Sequence, residues 1–453
     1  MKKIAIYIIL SGWMFAGCGT YSRYHRPDLS TENLYRDVPT DIDTTTIASL
    51  SWREMFTDPK LQSLIETGLE RNTDLNVARL RVEAAEAALL TAKLSYLPSL
   101  GLNAEGNANK HDGATAKTYN VGASASWELD IFGKLTAAKR GAAAALQGSR
   151  AYRQAVQTQL VATIADSYYT LAMLDAQMAI SNRTLENWRT TVRTLEALKK
   201  VGKSNEAGVL QAKANVMQLE ASLLSIRKSI SETENALSAV LAMPSHTIGR
   251  SNLAKEAFPD TVSIGVPLQL LSNRPDVRQA EMELTQAFYA TNAARAAFYP
   301  NITLSGTIGW TNNGGGVIVN PGQWLLNAIG SLTQPLFNRG TNIANLKIAK
   351  SRQEEAKLLF QQSLLNAGKE VNDALTAWQT AKSQIEINAR QVETLCDAVR
   401  KTESLMRHSN TTYLEVLTAQ QSLLEAEVQQ LQTRFERIQS VIKLYHALGG
   451  GRI

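Results

Sequence analysis

The chain has 453 residues, 19% charged and 6% aromatic, with 27 glycines and 11 prolines, a composition that excludes a fibrous or low-complexity protein. The formal net charge of +6 is thinly spread, and no Lys/Arg stripe with interleaved aromatics occurs, so nucleic acid is not the expected partner. The two cysteines, Cys18 and Cys396, make no disulfide framework.

The chain opens as a secretory signal: Lys2 and Lys3, a short apolar run from Ile4 to Leu10, then small residues to Gly17. That run is too short to cross a bilayer, which takes ~20 residues. Phe15-Ala16-Gly17-Cys18 resembles a bacterial lipobox, with Phe where an aliphatic residue is usual. Residues 1–17 are therefore expected to be cleaved, leaving Cys18 as a lipidated N-terminus; the alternative is an ordinary leader with an incidental cysteine. Gly19 in place of Asp at the next position points to the outer membrane. Residues 18–58 are polar, hold Pro27 and Pro39, and read as an extended tether.

A first structural unit is expected over 59–241. The pattern predicts one helix from Leu61 to Leu97, stopped by Pro98. Two alternating segments follow. Leu100, Leu102, Ala104, Gly106 and Ala108 share one parity, and so do Tyr119, Val121, Ala123, Ala125, Trp127 and Leu129, which predicts half-buried strands. The connection between them is expected to begin at His111-Asp112-Gly113. An apolar face ending in Tyr119 and Trp127 fits a lipid-facing wall with interfacial aromatics. Residues 135–200 contain no proline and predict a helix of roughly 100 Å at ~1.5 Å per residue. A break at 201–205 turns the chain into a return helix, 206–241, with a seam of Val209, Ala212, Val216, Leu219, Leu223, Ile226 and Ile230. Laid end to end, helices 61–97 and 206–241 match the long helix in length.

Residues 242–271 hold three prolines and read as a linker, with a short strand at 261–265. The pattern then starts again over 272–448, which makes the chain a duplication. With a shift of 202, Asp74 falls on Asp276, Ala85 on Ala287, Tyr96 on Phe298 and Pro98 on Pro300. Ile302 to Trp310 and Trp324 to Leu332 are the second strand pair, and about 342–406 the second long helix. After the polar break 408–412, an a/d seam runs through Leu414, Leu417, Leu424, Val428, Leu431, Phe435, Ile438, Ile442 and Tyr445, with Gln421 its polar exception. Gly449-Gly450-Gly451 stops it, leaving 449–453 as a tail. Four strands cannot close a barrel, and an open edge cannot face lipid, so several chains must share one.

The lipobox, the duplicated layout, Tyr299-Pro300, Gln334-Pro335-Leu336-Phe337 and the run Tyr413-Leu414-Glu415-Val416-Leu417-Thr418-Ala419-Gln420 resemble the TolC-like outer-membrane efflux family, in its lipoprotein branch serving resistance-nodulation-division pumps. The resemblance covers residues 18 to about 451. It implies a mainly α fold with a small β part: duplicated strand hairpins and long coiled-coil helices, assembled as a homotrimer with a twelve-stranded outer-membrane β-barrel continued by a periplasmic α-helical barrel and a closed tip. It implies a passive gated duct for small molecules, with outer-membrane lipid, a periplasmic adaptor protein and an inner-membrane pump as partners. Glu415 matches an acidic position at the periplasmic constriction, while Thr418 stands where the family often has Asp. Adaptor docking is expected at the hairpin turns, around Gly202, Ser204 and Asn205 and around Asn410, Thr411 and Thr412. A type I secretion channel and a non-conducting coiled-coil lipoprotein are the alternatives. Neither a catalytic set nor a metal or cofactor motif is present; the five histidines are scattered, and His408 and Cys396 read as incidental.

Overall fold

The computed structural model describes residues 21–27, 50–111, 113–253, 274–311, 323–407 and 413–451. Two short helices come first, α1 (Trp52–Met55) and α2 (Pro59–Arg71). Then one order of elements occurs twice. The first copy is α3 (Thr73–Leu94), β1 (Ser99–His111), β2 (Ala114–Leu129), α4 (Lys134–Lys200) and α5 (Glu206–Val240). The second is α6 (Pro275–Ala296), β3 (Asn301–Thr311), β4 (Gln323–Thr333), α7 (Thr341–Arg407) and α8 (Tyr413–Ala447). Corresponding helices have equal lengths, 22, 67 and 35 residues in both copies, so the duplication holds element by element.

Two expectations need correction. The helix expected over 61–97 is broken at Asn72, whose backbone leaves helical geometry (φ −54, ψ 129). Its side-chain Oδ1 accepts the Leu75 N–H at 2.9 Å and starts α3. The end-to-end comparison is therefore between 22 plus 35 residues and the 67 of α4, and α2 stands apart. The first hairpin is also tighter than expected: His111 pairs with Ala114, and Gly113 takes φ 84, the turn geometry that Asp-Gly favours. The strand expected at 261–265 and residue His408 lie outside the described residues. Within the expected tether, residues 21–27 are irregular, and α1 is closed by a Ser51–Glu54 capping box.

The chain divides into two compact units. One comprises residues 1–30, 80–151 and 278–363; the other comprises 31–79, 152–277 and 364–453. The first unit contains the sheet, an antiparallel meander in the order β1-β2-β3-β4. The second has a core of Trp52, Phe56, Leu61 and Ile65 against Ile164, Tyr168 and Tyr169 of α4 and Val441, Leu444 and Tyr445 of α8. Gly68 faces Ile164 so closely that a Cβ there would stand 2.4 Å from Ile164 Cδ1. Tyr168 donates to Asp58, accepts the Ser251 N–H at 2.9 Å, and is pushed up to about 12 by burial and by the Asp58 carboxylate. Along α5 the expected seam is buried except at the half-buried Val216; along α8 Leu417, Phe435, Ile438, Ile442 and Tyr445 are buried, Leu424, Val428 and Leu431 half-buried, and Leu414 and Gln421 exposed.

Candidate channel wall, helical tip and junctions

Register turns the strand parity into a surface. Leu102, Ala123, Ile308 and Leu326 lie on one rung; Ala104, Val121, Trp310 and Trp324 lie on another; Leu129, Ile302 and Leu332 lie on a third. Every residue of this parity from Leu100 to Ala108, Tyr119 to Leu129, Ile302 to Trp310 and Trp324 to Leu332 is apolar, Gly or Tyr. The opposite face carries Ser124, Thr307 and Asn327 on one rung, next to the rung of Asn103, Gly122 and Gly309, and mostly small polar residues elsewhere, with Leu325 and Ile329 as exceptions. The apolar side is unburied: Leu100, Leu102, Trp127, Ile308, Trp324, Leu326 and Leu332 are all exposed. Trp310 and Trp324 pack at 4.9 Å near one end of the sheet; Trp127, Phe132 and Tyr299 gather at the other, the last two stacked at 5.0 Å. An exposed apolar band between two aromatic groups is what a lipid-facing wall requires. Among the described residues β1 and β4 each have one partner strand, which leaves an outer edge at each.

At the far end of α4, the Lys203 N–H bonds the Leu198 carbonyl at 2.9 Å, and Gly202 takes φ 72. Asn205 caps α5 through the Gly208 N–H at 2.9 Å, and the Ser204 hydroxyl is buried without a hydrogen-bond partner. Glu196 and Lys213 pair across the hairpin at 2.7 Å. The Tyr413 ring covers Gly208, where a Cβ would stand 2.8 Å from it, so the first turn of α8 sits directly on α5. Glu415 and Thr418 are both exposed in that region of α8, and Val416 and Leu417 are buried. Glu415 occupies the first turn, where a carboxylate also favours the helix dipole. Asn410, Thr411, Thr412 and Cys18 lie outside the described residues. Cys396, read as incidental, is half-buried on α7.

Sequence reading missed two sets of contacts. Gln420 is buried and its Nε2 donates to Thr191 Oγ1 at 3.1 Å and Glu403 Oε1 at 2.9 Å, tying α8 to both long helices. The second set joins short helices end to end. Asn72 Nδ2 donates to the Val240 carbonyl at 2.8 Å, and Arg274 Nη1 donates to the Ala447 carbonyl at 2.8 Å. The shift of 202 becomes 207 at the return helices, where Glu206–Val240 answers Tyr413–Ala447, so these are the same junction in each copy. Arg274 is further bound by Asp276 and Glu370, each at 2.7 Å. Asn-Thr-Asp and Arg-Pro-Asp were the visible signals, a capping residue and a proline at a first helical turn. Burial alone would raise the Asp276 carboxyl, but the Arg274 hydrogen bonds and charge hold it below the usual range. Burial, then the Arg274 charge, lowers His446.

The duplication exposes an imbalance at the helices. Leu417, Leu424 and Leu431 of α8 correspond to Leu210, Met217 and Leu224 of α5. Leu417 is 5% exposed, packed with Leu195, Val209 and Ala212, and Leu424 rests on the cluster of Leu185, Trp188, Leu219 and Leu223. Their counterparts Leu210, Met217 and Leu224 are 57%, 65% and 64% exposed. One seam is thus filled by the same chain in one copy and left open in the other.

No described helix is long and apolar enough to cross a membrane, and no described group of His, Cys, Asp and Glu could hold a metal ion. An exposed apolar ribbon with open edges, attached to helices with an open seam, defines an outer-membrane channel protein built as a β-barrel. The chain belongs to the outer membrane efflux protein family, whose model matches residues 64–243 and 266–450. It is 32% identical to the cation efflux system protein CusC of Escherichia coli O157:H7 over 88% of each chain. It is 30% identical to the probable outer membrane lipoprotein SilC of Salmonella typhimurium over 100% of this chain and 99% of that one. It superposes on the crystal structure of the open-state outer membrane channel MtrE of Neisseria gonorrhoeae with a TM-score of 0.84 and 30% identity, covering 95% and 98% of the two chains. The protein is an outer-membrane channel component of an efflux system.

Proposed function

We propose that three copies share one twelve-stranded barrel, forming a passive duct for small molecules or ions that an adaptor and an inner-membrane pump load from the periplasmic side. The observation that carries this is the four-stranded ribbon with one apolar face and two open edges. In lipid those edges must be paired, and β1 of one copy against β4 of the next pairs them. Three copies are favoured over two because eight strands enclose side chains and twelve leave a lumen. On this reading Cys18 is the lipidated N-terminus. Three Glu415 carboxylates ring the constriction, where their combined negative charge attracts cations, and Thr418 replaces a second acidic ring. The adaptor docks at the turns containing Gly202, Ser204 and Asn205 and Asn410, Thr411 and Thr412. Relatives named for cations, solvents and antibiotics share the fold, which supports substrate selection by the pump.

The test is single-channel recording of the purified full-length protein in planar bilayers. A small, cation-selective conductance that loses selectivity in Glu415→Gln is the expected result. A trimer silent under every condition, including Glu415→Gln, overturns the duct and favours the non-conducting coiled-coil lipoprotein. Bulky charged substitutions in the turns, Asn205→Arg and Thr411→Arg, are expected to abolish export while leaving trimer and conductance intact; wild-type export in those variants removes the docking site.

A further inference from the structure

The helices that adjoin the sheet carry charge of one sign. From Leu284 to Gln353 the chain has no Asp or Glu, while Arg295, Arg339, Lys347, Lys350 and Arg352 are basic. From Ile131 to Ala151 it again has none, while Lys134, Lys139, Arg140 and Arg150 are basic. The duplication repeats two of these positions. The shift of 202 puts Lys93 on Arg295, and the shift of 207 puts Arg140 on Lys347. Lys93 and Arg295 stand six residues before β1 and β3; Arg140 and Lys347 stand six residues past the start of α4 and α7. Six helical residues rise about 9 Å, so all four bases lie at a similar depth beside the end of the sheet marked by Trp127, Phe132 and Tyr299. Carboxylates neutralise some of their neighbours: Glu128 holds Lys134 and Glu86 holds Arg150, each at 2.8 Å. Lys93, Arg295 and Lys347 are exposed and, among the described residues, pair with no carboxylate.

Residues 21–27 show which way these bases face. They form a strap without regular secondary structure. Tyr21 stacks on Tyr289 of α6 at 6.5 Å, beneath the Arg140 guanidinium of α4 at 5.1 Å. Ser22 Oγ donates to Asn292 Oδ1 at 3.2 Å, and Asn292 Nδ2 donates to the Ser22 carbonyl at 2.8 Å. Arg295 is three residues past Asn292 and shares its helix face. Lys93 and Lys347 take the corresponding faces in the duplication, and Arg23 adds an exposed base on the strap itself. Glu281, an acid further down the same face of α6, is held by Arg26 at 3.4 Å. A strap laid across the helices of a conducting ring lies outside it, since inside it would obstruct the duct. The bases therefore face away from the lumen, on the side of the apolar wall.

We propose that Lys93, Arg295 and Lys347, flanked by Arg23 and Arg140, form a collar that binds the phosphates of anionic phospholipid headgroups where the apolar wall leaves the membrane. The proposal rests on the reading of the chain as a duct, which sets the outward face. The polar layer on each side of the hydrocarbon is about 5–8 Å thick, so bases one to two turns beyond the sheet stand at headgroup depth. The aromatic group at that end of the sheet marks the same level. A phosphodiester supplies the anion that this stretch of sequence lacks, and each base near an anionic lipid surface contributes about fivefold in association.

The experiment uses the full-length trimer, reconstituted in phosphatidylcholine vesicles that contain either brominated phosphatidylglycerol or brominated phosphatidylcholine. Quenching of tryptophan fluorescence gives the preference between the two lipids, and exposed Trp127 reports from the collar's end of the sheet. Wild type is expected to prefer phosphatidylglycerol by about fivefold. The preference should fall to parity in Lys93→Gln/Arg295→Gln/Lys347→Gln. It should fall likewise in wild type at about 0.5 M NaCl, where the screening length is about 4 Å, an arm that needs no substitution. Lys228→Gln/Lys369→Gln, at exposed bases elsewhere, should keep it. Equal quenching by the two lipids in wild type, or a preference that survives in the triple variant, overturns the collar. Inorganic phosphate at matched ionic strength should leave the preference intact; its loss would make the cluster a site for small anions and overturn the headgroup assignment. Planar-bilayer conductance of the same preparation separates the two readings. A conducting trimer without lipid preference fails the collar alone, whereas a silent trimer fails the duct and with it the outward face.

Discussion

Ala242 is one of two described non-glycine residues with a left-handed backbone, Arg339 being the other. It takes φ 53 just past α5, where the Met243 N–H closes on the Ser238 carbonyl at 2.9 Å. By the shift of 207 it corresponds to Gly449 (φ 83), just past α8, where the Gly450 N–H closes on the Tyr445 carbonyl at 2.9 Å. The two helix stops are the same motif, filled with glycine in one copy and alanine in the other. A left-handed L-residue costs about 1–2 kcal/mol, so Ala242→Gly is expected to stabilise by roughly 1 kcal/mol and Gly449→Ala to destabilise by a similar amount. Thermal melting of the solubilised protein checks both; an unchanged midpoint for both would mean that packing absorbs the strain. The junction around Arg274 makes a second residue-scale prediction. Asp276 and His446 both titrate below their ordinary values, so each contributes stability above its unfolded value and loses it as pH falls through its folded one. Acid should therefore lower the melting point in two stages, first below about pH 6.5 through His446 and again below about pH 4 through Asp276. Arg274→Gln is expected to abolish or reverse the second stage, because burial, which alone raises the Asp276 carboxyl, is then no longer offset by the Arg274 hydrogen bonds and charge. A second stage that survives the substitution assigns it to other carboxylates.

At the scale of elements, legibility followed periodicity. A period of two placed the residues read as strands on their observed faces, because a one-residue error would have put Asn and Ser among Leu and Trp; residues 114–118 of β2, read as loop, escaped it. Proline-free runs with apolar seams likewise located α4, α5, α7 and α8 to within a residue or two. What escaped was set by single polar side chains. Asn72 breaks a helix whose apolar pattern continues across it, and Gln420 is buried because Thr191 and Glu403, distant in sequence, supply its partners. Neither fact changes a hydrophobic period. The docked strap at 21–27 was hidden for the same reason: its aromatics meet their partners across some 265 residues of sequence separation, about 270 in the case of Ser22 and Asn292. One element-scale prediction concerns glycine where β2 and β3 approach most closely. A Cβ on Gly309 would stand 2.2 Å from the Val121 carbonyl oxygen and 2.5 Å from Gly122 Cα. At Gly330 the nearest atom would be Leu304 Cδ2 at 3.6 Å, an ordinary contact. Gly309→Ala is expected to reduce heat-stable assembled protein severely and Gly330→Ala hardly at all. Equal yields would show that the sheet relaxes around a methyl group.

For the whole molecule, duplication supplies an argument that a single domain could not. Two copies of one fold have two equivalent seams, and a linear chain can fill only one of them. Leu417 and Leu424 of the second copy pack on the first, whereas Leu210 and Met217 of the first are exposed among the described residues. A heterologous contact of this kind, repeated by rotation, either closes into a ring or grows without limit. The sheet states the same condition independently, with an open edge at β1 and another at β4. Both requirements are met if the second copy of each chain receives the first copy of the next. The residues beneath Leu424 include Leu185 and Trp188 of α4, whose counterparts on α7 are Val392 and Leu395, both half-buried. Met217 of one chain is therefore expected to lie on Leu395 of its neighbour. In a Cys396→Ser background, Met217→Cys with Leu395→Cys should yield covalent dimers and trimers on oxidation, stopping at three. Either substitution alone should yield none. Met217→Glu should leave the chain folded but deplete trimer, since a carboxylate would be carried into an apolar seam. A cross-link that forms only within single chains, or a ladder that runs past three, would contradict the closed ring.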